Sequence, residues 1–378
     1  MSRYRRSSWP RLETASRLHW WRRGCRRGLG CCQDRTPCTR RGHRRPPTTQ
    51  YSLVTGVRAW LSPCDRRRAL ARLASLWKGC HERTSGPRRL TWRGGEDVLR
   101  ARRRLRVLGP RDLDAVHRLI ERDPVTHVFV DHRVRLTRLE PRWLGGEMWG
   151  YDEGGELISV CHAAANLAPV LATSTALDAY ASRALTQGRR CGSIVGPDEE
   201  VTGLWERLRH DWGPARSVRP RQPFMVLSGQ PHVAPSPDVR RVLPEELDVF
   251  YPACVAMYTE ELGVSPERAG GAALYRARVA QLISRGHAFA HIIGNDVLFK
   301  AELGPITPHA AQLQSVWVAP RFRGTGLAPG GVATVCAAAI ADGAPVVSLY
   351  VNEHNHAARR TYERVGFRET GRFATILF

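Results

Sequence analysis

Methionine is scarce in this chain: 4 in 378 residues, and none between Met1 and Met148. Acidic residues are scarce at one end, where residues 1–106 carry 6 Asp and Glu against 29 Lys and Arg, while the remainder has 29 of each. The whole formal excess of +23 therefore lies in the first 106 positions. No uninterrupted apolar run reaches the roughly 18 residues that a membrane-spanning helix needs, so none is expected. Zinc-type cysteine spacing is missing as well. Cys25, Cys31, Cys32 and Cys38, near His43, are separated by five-residue gaps and one adjacent pair rather than C-x2–4-C, so no metal is expected.

What is present in residues 1–104 does not read as a folded domain. The segment holds six of the ten cysteines and six of the eleven tryptophans without sustained apolar periodicity. Three readings compete: a disordered basic arm for nucleic acid or an anionic surface, a targeting peptide, or translated upstream sequence foreign to the natural protein. A targeting peptide fits poorly for want of an apolar core. Nucleic-acid binding would depend on the arm alone, since the rest is charge-neutral and shows no recognised module. Upstream translation fits best, with a start at a valine or leucine codon near Val98, Leu99 or Val107. The other cysteines, Cys161, Cys191, Cys254 and Cys336, sit in apolar contexts suited to reduced, buried thiols of a cytoplasmic protein.

Past the arm the chain repeats itself. Arg106-Val107-Leu108-Gly109-Pro110-Arg111-Asp112-Leu113-Asp114 is echoed by Arg241-Val242-Leu243-Pro244-Glu245-Glu246-Leu247-Asp248, each reading as a short strand, an acidic turn and a helix. The proline-rich stretch SGQPHVAPSPD, residues 228–238, suits a linker. Two halves are thus expected, 105–227 and 239–378.

The most informative stretch is VWVAPRFRGTG, Val316 to Gly326. Val316, Trp317 and Val318 suit a strand that Pro320 stops. Gly324 and Gly326 permit positive φ and close approach of the backbone to a ligand. The alanine-rich run Val332 to Ala341 reads as a helix, expected to start late because Pro329, Gly330 and Gly331 weaken its first turns. Amides at such a turn, a helix N-terminus, Arg321 and Arg323 together suit a phosphate. Downstream, Val346, Val347, Leu349 and Val351 suit a buried strand. In NEHNHAARRTYERVGF, Asn355, Ala358 and Tyr362 share one helical face, and Gly366 ends that helix.

R-x-x-G-x-G at Arg321 to Gly326, followed by N-x-x-A-x-x-x-Y-x-x-x-G-F at Asn355 to Phe367, resembles the paired signature of the GNAT superfamily of acyl-CoA-dependent N-acyltransferases. The resemblance covers roughly Arg240 to Phe378. It implies an α/β fold with a mixed sheet flanked by helices, splayed between a fourth strand at Val316–Val318 and a fifth at Val346–Val351. It implies acetyl-CoA as co-substrate, an amine as acceptor, and cofactor contacts from Val316, Val318, Arg321, Arg323, Gly324, Thr325, Gly326, Leu327 and Asn355. The first half carries neither motif, and its Arg189 to Gly196 turn runs straight into Pro197. If GNAT-like, it has lost the cofactor site, an arrangement similar to bacterial two-part GNAT proteins with a divergent N-terminal domain.

Acyl transfer to an amine needs alignment, an exit for the amine proton and a proton for the departing thiolate. Tyr362 falls where the family's general acid sits; the alternative is packing against the sheet. Glu302, on the strand before the fourth, is the candidate base if Val297, Phe299 and Ala301 face the other way; otherwise it is a surface residue beside Lys300. Asn355 fits either a cofactor contact or a helix cap. An amide near Val318 is the candidate for polarising the thioester carbonyl. Met257, Tyr258, Glu260 and Glu261 suit either attraction of a cationic amine or an exposed helix face. The rival functions are a silent CoA-binding regulator and nucleic-acid binding through the arm.

Overall fold

The computed structural model describes residues 104–378; the arm, its cysteines and the alternative starts at Val98 and Leu99 lie outside the described residues. The first half runs β1 (Leu105–Leu108), α1 (Leu113–Ile120), α2 (Val128–Thr137), α3 (Pro141–Leu144), β2 (Glu147–Glu153), β3 (Glu156–Ala163), β4 (Asn166–Val170), α4 (Ser174–Gln187), β5 (Ser193–Pro197), α5 (Asp198–Trp212) and β6 (Ser217–Ser228). The second runs β7 (Arg240–Arg241), α6 (Leu247–Leu262), α7 (Ala272–Ser284), β8 (Ala288–Ile293), β9 (Asp296–Ile306), β10 (Ala311–Val318), α8 (Leu327–Ala341), β11 (Val346–Tyr350), α9 (His356–Val365) and β12 (Arg368–Leu377).

The repeated opening folds twice into the same device. A 3-10 turn follows each first strand, Pro110–Asp112 and Pro244–Glu246. Its acidic residue accepts from the amide just before the proline, Gly109 to Asp112 at 2.9 Å and Leu243 to Glu246 at 2.8 Å. An arginine of the strand then pairs with the same carboxylate, Arg106 with Asp112 and Arg240 with Glu246, each at 2.6 Å. The turn thereby satisfies donors that the following helix start leaves open.

All strands among the described residues join one sheet in the order β1-β2-β3-β4-β5-β12-β6-β11-β10-β9-β8-β7. The halves exchange strands at its centre. β6, from the first half, pairs antiparallel with β11, while β12, from the second, pairs antiparallel with β5; β6 and β12 then pair with each other. Helices cover both faces, as side-chain alternation along the strands requires. On one face α8 and α9 pack on Phe299, Ala301, Leu313 and Leu349, joined by Met225 and Leu227 of β6, and α4 and α5 pack on Trp149, Cys161 and Ile194, joined by Ala374 and Ile376 of β12. On the other face α1 and α2 cover Met148 and Val160, and α6 and α7 cover Ala288 and Ala290. Each exchanged strand thus brings apolar side chains to the other half's core.

β10 is the fourth strand of the second half and β11 the fifth, both where the sequence puts them. The α8 helix, in contrast, does not start late: it begins at Leu327 and takes in Pro329, Gly330 and Gly331. Pro329 lies in the first turn, where its missing N–H leaves no helical bond unmade. The glycines serve packing. A Cβ at Gly331 would sit 2.7 Å from the Phe299 ring, and one at Gly330 3.3 Å from Ser236 of the linker. Gly330 is further tied to that linker by the Ser236 N–H, which donates to its carbonyl at 3.1 Å.

Candidate functional site

β10 and β11 run parallel but pair only at Ala311–Val347 and Gln312–Ser348. Beyond that point they diverge, opening a wedge over residues 313–318. A bulge against β9 falls between Gln314 and Trp317, with Ser315 at φ +55°. This one-residue shift re-aims the strand. Before it Leu313 faces the α8 side; after it Val316 and Val318 do, while Trp317 turns to the α6 side.

At the open end of the wedge, Pro320 to Gly326 forms an exposed bend. Gly324 and Gly326 take φ of +79° and +89°, the left-handed region where glycine carries no Cβ penalty. The Phe322 and Arg323 amides are used within the turn, donating to Ala319 and Pro320. Among the described residues, the amides of Gly324, Thr325, Gly326 and Leu327 have no acceptor. Thr325 Oγ1 donates to the Phe322 carbonyl at 2.7 Å and holds the bend. Four open donors at the start of a fifteen-residue helix fit a diphosphate, so the residues present suit the CoA arm. Arg321 pairs with Asp296 at 2.6 Å; Arg323 pairs with Glu260 at 2.7 Å and donates to the Val318 carbonyl at 3.0 Å. Both pairs are exposed, and an exposed pair of this kind exchanges partners at a cost of about 1 kcal/mol or less.

Asn355 caps α9, its Oδ1 accepting from the Ala358 amide at 3.1 Å. Tyr362 lies one face-turn further on, buried on the α8 side with its ring edge-on to Phe367 at 5.8 Å. Burial pushes its phenol up, with smaller contributions from Cys336 and Glu261.

Glu302 lies on the face opposite Phe299 and Ala301, but Val297, expected beside them, faces the α6 and α7 side because the pairing with β8 shifts between His291 and Ile292; Glu302 is 3% exposed and its carboxylate lies 2.6 Å from the fully buried Lys300 ammonium. Burial works to raise the Glu302 carboxyl; Lys300 outweighs it and holds the group below its usual range. Lys300 also donates to the carbonyl of Ser315 at 3.3 Å, so the pair supports the bulge from below. An ion pair this deep is closed to an incoming amine.

A second carboxylate near the wedge, besides the Glu260 that pairs with Arg323, is Glu261, at the last turn of α6. Asn352, in the β11–α9 turn, donates to it at 3.0 Å and Arg219 of β6 at 2.5 Å. Glu261 is close enough to act on the ionisation of both Tyr350 and Tyr362. Asn352 accepts from Gln222 at 2.9 Å, and Gln222 accepts from Thr375 at 2.6 Å, a chain that runs through both exchanged strands. Beside it Tyr350, Phe373 and Phe224 stack, at 5.2 Å and 4.6 Å between ring centres. Sequence reasoning noticed Glu261 as one of an acidic pair but missed its partners, because Arg219 and Asn352 lie 42 and 91 residues away along the chain.

The first half has the same parallel pair, β4 and β5, joined only at Asn166–Ser193 and Leu167–Ile194. Its connection from strand to helix is Leu171, Ala172 and Thr173 alone, with no glycine bend, and Pro169 removes one amide from the strand. Glu200 of α5 lies half-buried there beside the amides of Ala172 and Leu171. Burial raises its carboxyl to about 7, and one of its oxygens has no partner.

The four described cysteines, Cys161, Cys191, Cys254 and Cys336, are free and buried. Among the described residues no cluster of His, Cys, Asp and Glu is placed to hold a metal ion, and no helix is long and apolar enough to cross a membrane.

Residues 257–367 match the model of the Acetyltransferase (GNAT) family, and residues 146–250 match DUF4081, a domain of unknown function. The chain thus carries a GNAT domain with a DUF4081 domain before it, in a mixed α/β fold. Solved structures resemble it at low identity. An X-ray structure of a Drosophila protein superposes with a TM-score of 0.50 at 14% identity, over 73% of this chain and 98% of its own. A GCN5-related N-acetyltransferase from Sphaerobacter thermophilus gives 0.42 at 17%, over 72% and 93%. A tandem GNAT protein from the clavulanic acid biosynthesis pathway, solved without acetyl-CoA, gives 0.38 at 14%, over 72% and 98%. No curated protein matches the chain.

Proposed function

We propose that the second half transfers an acetyl group from acetyl-CoA to an amine by direct attack within a ternary complex. The observation that carries this reading is the set of four open amides, Gly324 to Leu327, at the mouth of the β10–β11 wedge. The GNAT family match over the same segment supports it.

Bound there, acetyl-CoA supplies an activated thioester. Gly324, Thr325, Gly326 and Leu327 hold its diphosphate through their amides, with Arg321 and Arg323 turning from their surface partners to add charge. Val316 and Val318 line the wedge along β10, and an amide near Val318 polarises the carbonyl. Tyr362 gives the thiolate its proton; Asn355 holds the helix that carries this tyrosine. On the α6 side, Glu261 receives the proton of the attacking amine, and the Tyr350, Phe373 and Phe224 stack offers an apolar wall for its body. Glu302 acts at one remove, as a positioning residue: through Lys300 it fixes the Ser315 bulge that aims β10.

Calorimetry with acetyl-CoA, followed by thiol release with a panel of amines, tests the proposal. Micromolar binding and amine-dependent thiol release are expected. No heat with acetyl-CoA would end it, and binding without turnover on any amine would leave a CoA-binding protein instead.

A further inference from the structure

The end of α6 is held by the first half. The last carbonyls of a helix have no helical amide left to receive. Here two arginines at the start of β6 supply donors instead: Arg219 Nη2 donates to the Glu261 carbonyl at 2.7 Å and Arg216 Nη1 to that of Leu262 at 3.1 Å. Arg219 Nη1 also donates to the Glu261 carboxylate at 2.5 Å, so one guanidinium grips the backbone and the side chain of the same residue.

A bulge puts Arg219 there. Gln222 lies opposite Phe373 and Arg219 opposite Thr375, three positions along β6 against two along β12. Phe373 and Thr375 share a face, so Arg219 and Gln222 do too, where an unbroken strand would set residues three apart on opposite faces. Pro220, which has no N–H for a ladder, lies within the bulge.

The grip is one-sided. Arg219 and Asn352 both donate to Oε1 of Glu261, and Oε2 accepts no hydrogen bond among the described residues. The Glu261 side chain is 45% exposed and that of Arg219 17%. A carboxylate fixed through one oxygen and open at the other meets an incoming amine in one orientation, and orientation governs transfer rates steeply.

We propose that the DUF4081 portion is a working part of the acceptor site, with Arg219 the positioning residue that aims Glu261 Oε2 at the amine, a role that rests on the acetyl-transfer reading. Residues 146–250 match that domain, and its β6 is the strand that pairs with β11 of the second half.

The test uses the full chain and an amine that supports thiol release. Arg219→Gln should lower kcat/KM for the amine about tenfold, with the acetyl-CoA dissociation constant within twofold and a cooperative melt retained. In a crystal structure of that variant, Glu261 should leave the rotamer it holds in the wild type. In the Glu261→Gln background, Arg219→Gln should cost less than a further twofold, because the carboxylate it aims is already gone. Arg219→Lys, which keeps the charge but not the fork, takes the place of the glutamine variant should that one fail to fold, and the same results are expected of it. Unchanged kcat/KM overturns the proposal. So does a tenfold loss that persists in full beside Glu261→Gln, or an unmoved Glu261 side chain. A wild type that releases no thiol would sink the acetyl-transfer reading and this proposal together, whereas additive losses in an active enzyme sink the proposal alone.

Discussion

Asn352 Nδ2 donates to Glu261 Oε1 at 3.0 Å, tying the turn that follows β11 to the last turn of α6 across the β10–β11 wedge. The contact joins the side that would hold the thioester to the side that would hold the amine. Glu261→Gln should therefore lower kcat/KM for the amine by about 10² while leaving the acetyl-CoA dissociation constant within twofold. Steady-state kinetics and calorimetry on the same preparation separate the two effects, and equal losses in both would place Glu261 in cofactor binding.

Tyr362→Phe keeps the ring against Phe367 and removes only the hydroxyl. Turnover should fall by about 10²–10⁴ with acetyl-CoA binding and melting temperature little changed. Unchanged turnover would leave Tyr362 a packing residue.

Gly326→Ala forces a Cβ into the left-handed region at φ +89°, a cost of about 1–2 kcal/mol, although no neighbouring atom lies within 4 Å of the new carbon. Gly343→Ala, at φ +101° and equally uncrowded, is the control. Both should lose similar stability in thermal melts, but only Gly326→Ala should weaken acetyl-CoA binding, by about tenfold. Equal binding by the two variants would argue against the anion nest.

Lys300→Met leaves the buried Glu302 charge alone and should destabilise by about 3–5 kcal/mol. Lys300→Met with Glu302→Leu should recover most of that in chemical denaturation, because neither desolvated charge remains. A double variant no more stable than the single would mean that packing around Phe250 and Cys254, rather than charge, governs the site.

Glu200 predicts a pH effect of definite sign. Its folded carboxyl, raised to about 7 by burial, binds protons that the unfolded carboxyl has released above its ordinary value near 4.3. Stability attributable to this group is thus fullest below about pH 4 and declines as pH rises to about 7, by roughly 3 kcal/mol at most. His127 and His162, depressed to about 4 by burial, act in the opposite sense between about 4 and 6.5. The difference between wild type and Glu200→Gln isolates the carboxyl: the variant should gain relative stability from pH 5 to pH 8. Parallel melting curves across that range would remove Glu200 from the account.

The local devices were legible in the sequence. The Arg321 to Gly326 bend, the strands on either side of it, the Asn355 helix with its Gly366 stop, and the doubled strand–turn–helix opening all depend on residues within about a dozen positions of one another. What escaped involves distant partners. Nothing near Phe224 or Phe373 marks β6 and β12 as exchanged, because either strand's alternation would suit its own half equally well. The early start of α8 was hidden for a related reason: Gly330 and Gly331 look like helix weakeners until Ser236 and Phe299 occupy the space their missing Cβ atoms leave. Lys300 and Glu302 were adjacent on one strand face in sequence, but only the covering by α6 and α7 turned a surface pair into a sealed one.

The crossing of β6 and β12 also sets an order of assembly during synthesis. Residues 105–212 can leave the ribosome with their helices formed, yet β5 keeps an open edge until residues 368–377 emerge to lie beside it. The DUF4081 portion is therefore finished by the acetyltransferase portion and not before it. A gene fragment encoding either one alone would yield a sheet with an unpaired edge strand, prone to sticking to its own copies.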